Sequence, residues 1–131
     1  YEWDQGAERI HGLSREFLYE NGVSQEDAAL EFGSLILKYF GDSKIVLLGH
    51  RCYFDKAFTN QLFDTVDMTL PWDPIQIDSA AFALSFLGVT LSDDLFDICG
   101  MPPRTEHNAL EDVLMTLESI KSIKQMIYRD L

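Results

Sequence analysis

Lys44-Ile45-Val46-Leu47-Leu48-Gly49-His50-Arg51-Cys52-Tyr53-Phe54-Asp55 runs from an apolar segment through a polar turn into a helical pattern. The apolar run is short and β-branched at its start, so Lys44 to Gly49 is read as a buried strand. From Phe54 to about Phe63 the period changes to that of a helix, with Phe54, Ala57, Phe58 and Leu62 on one stripe. A strand that turns directly into a helix is the repeating step of α/β folds. In such folds the carboxyl ends of the strands face the ligand crevice, and Asp55 falls just past one.

Working outward, Ser24-Gln25-Glu26-Asp27 reads as a capping box. The helix it opens places Ala29, Phe32, Ile36 and Phe40 on one face and stops at Gly41. Residues Tyr1 to Arg9 show no clear period. Downstream, Pro71-Trp72-Asp73-Pro74 reads as a loop, because two prolines three apart interrupt either periodicity. Ile75-Gln76-Ile77 is a short strand candidate. Asp78 or Ser79 caps a helix over Ala80 to Leu87, closed by Gly88, and Leu91 to Ile98 forms another. Met101-Pro102-Pro103-Arg104 is a stiff connector. The last helix begins near Ala109, with Leu110, Val113, Leu117, Ile120 and Ile127 as its core face. Lys121, Lys124 and Arg129 suit its negative end. Only about two strands emerge, fewer than a sheet needs to stand alone.

The chain has 131 residues, 47% of them apolar and nine of them Phe, which indicates one globular domain. No apolar run is long enough to cross a membrane, and no charged-then-apolar leader opens the sequence. Cys52 and Cys99 lack C-x-x-C spacing, which favours free thiols in a reducing compartment and a cytoplasmic protein. Ten Lys and Arg against 22 Asp and Glu give a net charge of −12, which repels polyanions at long range. A protein that wraps nucleic acid is thereby disfavoured. An enzyme that grips one strand end through bound cations is not.

His107-Asn108-Ala109-Leu110-Glu111-Asp112 sets a histidine five residues before an aspartate. On a continuous helix those side chains would diverge by about 140°. Asn108 with Glu111 three residues on forms an N-cap pair instead, leaving His107 on the preceding loop. From there an imidazole suits general-base work near neutrality. Asp112 lies in the first helical turn, where the dipole favours a carboxylate.

The segments Gly49 to Asp55 and His107 to Asp112 together resemble the second and third motifs of the DnaQ-like, DEDDh-type 3′–5′ exonucleases, the ribonuclease T and proofreading type. Ala7-Glu8-Arg9-Ile10-His11-Gly12-Leu13-Ser14 resembles the turn after that family's third strand, and Ile77-Asp78-Ser79 the start of its next helix. The likeness covers nearly all of residues 7 to 120, with Arg51 standing where the family usually has Asn. It implies a ribonuclease H-like α/β fold, a mixed sheet flanked by helices. It also implies hydrolysis of the terminal phosphodiester of single-stranded DNA or RNA at its 3′ end, using two Mg²⁺ or Mn²⁺ ions. By resemblance Asp55 and Asp112 hold metal and His107 activates water. Ile10 and His11 line the terminal-nucleotide pocket, and Phe54 is the wedge against the terminal base. The family's first motif, Asp-x-Glu on an N-terminal strand, has no counterpart. By the resemblance the missing strands and the missing carboxylates would both lie upstream of Tyr1, where one N-terminal segment is expected to account for both.

Plainer readings stand beside these. His50 reads as a hydrogen-bonded structural histidine, Asp78 as an N-cap and Trp72 as a packed loop anchor. The two cysteines read as buried spectators. Glu26-Asp27 and Asp93-Asp94 look like solvated helix starts. The competing class of function is a non-catalytic, exonuclease-like module that presents its acidic surface to a protein partner or a second copy.

Overall fold

The computed structural model describes residues 3–104 and 108–129. Three helices come first: α1 (Gln5–His11), α2 (Arg15–Asn21) and α3 (Gln25–Phe40). Strand β1 (Ile45–Gly49) leads into α4 (Tyr53–Asp64), and β2 (Trp72–Asp78) leads into α5 (Ser79–Phe82). A π-helical turn, Ala83–Leu87, extends α5 before α6 (Ser92–Ile98) and α7 (Ala109–Arg129). The architecture is mixed α/β, with β1 and β2 paired in parallel.

Local chemistry accounts for these boundaries. Ser24 Oγ accepts from the Asp27 amide at 3.0 Å to open α3, and Gly41 closes it. Asp4 Oδ1 accepts from the amides of Gly6 and Ala7 at 2.7 and 3.2 Å and so starts α1, in a stretch with no sequence period. Neither α1 nor α2 has a buried residue, so no apolar stripe announced them. Gly88, at φ 72°, ends the π turn in the left-handed region that glycine enters freely.

Two clusters form the core. Ile45, Phe63 and Leu70 are buried together beneath Ile36, Val66 and Trp72. Ala83, Leu95, Phe96, Met115 and Ile123 make the second. Helices α3 and α4 approach closely at Gly33, where a Cβ would stand 3.3 Å from the Phe63 ring.

Four expectations need correction. Trp72, Asp73 and Pro74 belong to a strand rather than a loop: Ile45 pairs with Trp72 but Leu47 with Gln76, so β2 carries extra residues in that interval. A proline is tolerated in such an irregular stretch because no regular ladder bond is required of it. The apolar stripe of α4 is present but faces outward, with Phe54 and Phe58 each 58% exposed while Phe63 is fully buried. On α7 the buried residues are Met115, Thr116, Ser119 and Ile123; of the expected face Ile127 packs on that core, whereas Leu110 and Val113 are 68% and 61% exposed. The small Thr116 and Ser119 let α7 sit close to its neighbours, and Ser119 Oγ satisfies itself by donating to the Thr116 carbonyl at 2.8 Å. Finally, β1 is buried only at Ile45, and Val46 is 45% exposed.

Among the described residues no single helix is long and apolar enough to cross a membrane. The pair Ser79–Leu87 and Ser92–Ile98 is apolar enough when joined, but it bends by 60°. That pair contributes Ala83, Leu95 and Phe96 to the core.

Candidate active site

The two strands end side by side, with Gly49 in register with Asp78. The chain then turns back at once. A Cβ on Gly49 would come within 2.9 Å of Cys52 Cβ, so only glycine lets α4 start so close to the strand. Arg51 takes a positive φ of 58°, a left-handed conformation that costs a non-glycine residue about 1 kcal/mol. Hydrogen bonds hold it there. Its amide donates to Asp78 Oδ1 at 2.9 Å, and its Nη2 donates to the Thr90 carbonyl at 3.3 Å.

Asp78 Oδ1 also accepts from the Ala80 amide at 2.9 Å, so one carboxylate caps α5 and fastens the β1–α4 turn. His50 completes the fastening through Nδ1 to Ser79 Oγ at 2.9 Å and Nε2 to the Thr90 carbonyl at 3.3 Å. His50 and Asp78 are therefore structural, as their plainer readings had it. Trp72, expected as a loop anchor, is instead the first residue of β2; it packs on the Ile45, Phe63 and Leu70 cluster, and its Nε1 donates to Asn60 Oδ1 at 2.7 Å.

Both cysteines are free. Cys52 is buried beneath the turn, with Sγ 3.5 Å from Gln76 Oε1 and 3.9 Å from Asp78 Oδ2. Burial, with the nearby charges of Asp78 and Asp55, pushes its thiol pKa up, which keeps it a protonated donor.

Asp55 emerges from this framework in the first turn of α4, exposed, its Oδ2 4.0 Å from the position of a Gly49 Cβ. Beside it Phe54 presents its ring to solvent, 4.6 Å from that of Phe58. Ile10 and His11 lie at the exposed end of α1. There His11 Nδ1 accepts from the Leu13 amide at 3.0 Å, a purely local bond.

The other expected ligand lies at the start of α7, a helix that packs against β1. Asn108 Oδ1 accepts from the amides of Leu110 and Glu111 at 3.0 and 3.3 Å, the N-cap read from the sequence. His107 lies outside the described residues. Asp112 is half-buried, and its Oδ1 accepts from Arg104 Nη1 at 2.8 Å.

Arg104 is the residue sequence reasoning passed over. Its Nε donates to Asp93 Oδ1 at 2.8 Å, its Nη2 to Ser92 Oγ at 3.2 Å, and its guanidinium lies 5.4 Å from the centre of the Phe96 ring. Burial alone would lower its pKa. Hydrogen bonds and charge from Asp112 and Asp93 outweigh that and leave it above the ordinary value. A signal was available: Arg104 is the sole cation between Lys56 and Lys121. A cavity of about 520 Å³ lies beside it, walled by α6, Met101–Arg104 and Met115.

Carboxylate oxygens are the donors that Mg²⁺ and Mn²⁺ prefer, so Asp55 and Asp112 are of the right chemical type. Among the described residues no three His, Cys, Asp or Glu side chains converge as a ligand group. Comparison with protein-family models and with curated proteins finds no match to this chain.

Proposed function

We propose that this chain carries the second and third motifs of a DEDDh-type 3′–5′ exonuclease with a ribonuclease H-like fold. One observation carries the reading. Asp55 stands at the carboxyl end of a parallel strand, in a turn held by Asp78, while Asp112 opens a helix packed on that same strand. The four motif-like segments also occur in the family's order.

In this reading Asp55 and Asp112 hold Mg²⁺ or Mn²⁺, and an Asp-x-Glu strand would supply the remaining carboxylates. The bound ions would polarise the scissile phosphate and neutralise the charge that develops on it. His107 would take the proton from the attacking water. Phe54 would stack on the terminal base of a single-stranded end, a contact that tolerates any base. Ile10 and His11 would border the same nucleotide. Such an enzyme needs no broad basic surface, which agrees with a net charge of −12.

The test is digestion of 5′-labelled single-stranded DNA and RNA with Mn²⁺, using this chain alone and joined to an upstream strand bearing Asp-x-Glu. Stepwise shortening from the 3′ end by the joined protein only is expected. If neither protein shortens either strand while both fold, the reading fails.

A second reading draws on the exposed apolar residues Leu110, Val113 and Leu114 of α7 and Val46 of β1. It makes the chain a non-catalytic module whose apolar and acidic surfaces receive a protein partner. Folded but inactive joined protein would favour it.

A further inference from the structure

We infer that the open side of β1 and the bare face of α7 form one docking surface for an extended strand of a basic protein partner, with apolar residues at alternate positions. The inference rests on the second reading above, whose partner it describes chemically, and nothing in it depends on a metal ion or on catalysis.

Helix α7 has two apolar faces. Met115 and Ile123 lie in the core with Leu95 and Phe96. Leu110, Val113, Leu114 and Leu117 recur at i, i+3, i+4 and i+7, and all four are exposed. At about 100° per residue they fall on the side away from the buried residues. Such a stripe is what a helix ordinarily buries against a neighbour.

The strand on which α7 packs is open as well. Ile45 donates its amide to the Pro71 carbonyl at 2.9 Å, so its backbone faces β2. Backbone direction alternates along a strand, which turns the amides and carbonyls of Val46 and Leu48 to the unpaired side. Side chains alternate too. Ile45 enters the cluster with Phe63 of α4, so Val46 takes the opposite face of the sheet, where it is exposed.

Each feature selects the occupant. A helix bonds its own backbone and would leave the β1 edge unserved, whereas an extended chain pairs with that edge directly. Its alternate side chains then share one face, available to Val46 and the α7 stripe. A second copy is disfavoured because both molecules carry −12, and the same charge draws in a basic chain. On α7 itself Glu111 and Glu118 border the stripe, Glu118 also holding Lys121.

The probe is a fluorescent peptide of about twelve residues, alternating Val and Thr between pairs of Lys, the length of a strand with flanks. Its binding to the full chain is read by anisotropy, and the site by hydrogen exchange in nitrogen-edited NMR. Saturable binding is expected, with protection of the Val46 and Leu48 amides. Methylating the Val and Thr amides of the peptide removes its backbone donors and keeps its charge. That change and Leu114→Lys in the protein should each weaken binding at least about tenfold. Leu114 is exposed, so its variant should keep the parental spectrum.

Equal binding of a peptide flanked by Glu would overturn the basic partner. Equal binding of the methylated peptide, or none by folded protein, would overturn the strand. Protection of the same amides without peptide would also overturn the inference. Seen at high concentration of this chain, it would give the place to a second copy; seen in protein joined to an Asp-x-Glu strand, to that strand. The second reading fails separately, through 3′-end shortening by the joined protein.

Discussion

Asp78 accepts the amide of Arg51 at 2.9 Å, a bond across 27 residues that joins the ends of the two strands. The same oxygen caps α5, so one side chain carries two structural duties. Asp78→Ala removes both and leaves the strained Arg51 amide without its acceptor. We expect a loss of about 2 kcal/mol in urea unfolding, within the range of lost caps and orphaned donors. Asp78→Asn keeps an acceptor and should lose less than half of that. A neutral Asp78→Ala would mean the turn holds its shape without the carboxylate.

The two α4 faces separate by mutation. Phe63 is fully buried between α3 and β1, so Phe63→Ala should cost about 3–5 kcal/mol. Phe58, on the outward stripe, should cost under about 1 kcal/mol when truncated, as exposed positions do. Denaturant midpoints of the two variants decide which face is core.

Activity should part from stability at the proposed metal ligands. In protein joined to an Asp-x-Glu strand, Asp55→Ala and Asp112→Ala should each lower the rate of 3′-end shortening at least about a thousandfold, the loss of a charge-stabilising group. Asp55 is exposed, so its variant should melt like the parent. Parental turnover in either variant would remove that residue from the site.

The Cys52 thiol has a pKa raised by burial and by the charges of Asp78 and Asp55. The unfolded thiol ionises first as pH rises, so the native state keeps a proton that the unfolded state has lost. The contribution is whole below the unfolded pKa and is lost as pH climbs towards the folded one. Stability should therefore fall on the alkaline side, above about pH 8.5. Cys52→Ala should flatten that limb. An equally steep alkaline limb in the variant would assign it to other groups.

Legibility in the sequence followed the physics of each element. The ends of helix α3 were readable from Ser24 and Gly41, but of its expected face Ala29, Phe32, Ile36 and Phe40 only Ala29 is buried, with Phe32 and Phe40 42% and 44% exposed. The strand-to-helix step around Gly49 was readable because its period changes abruptly. Helix α1 was not, since it buries nothing and depends on the single cap of Asp4. Pro74 hid the start of β2, because a proline excludes a regular ladder but not an irregular one. The α7 core face was only partly legible: Ile127 packs as expected, but much of the face is built of hydroxyl residues, Thr116 and Ser119, that an apolar count omits. At the site, the Asn108 cap and the structural roles of His50 and Asp78 were legible from residue type and position. Arg104 was not, because its partners Asp93 and Asp112 lie on opposite sides of it in sequence and meet only when α6 and α7 pack.

The two-stranded sheet has a consequence for handling the protein. Among the described residues each strand pairs on one side only, so a row of amides and carbonyls on each remains a template for another chain. What opposes such growth is mutual repulsion between molecules that each carry −12. Salt screens that repulsion over about 10 Å at 0.1 M but leaves backbone pairing intact. Colloidal behaviour should thus invert the usual advice: dilute buffer keeps the molecules apart, and added salt brings strand edges together, visible as a rise in light scattering.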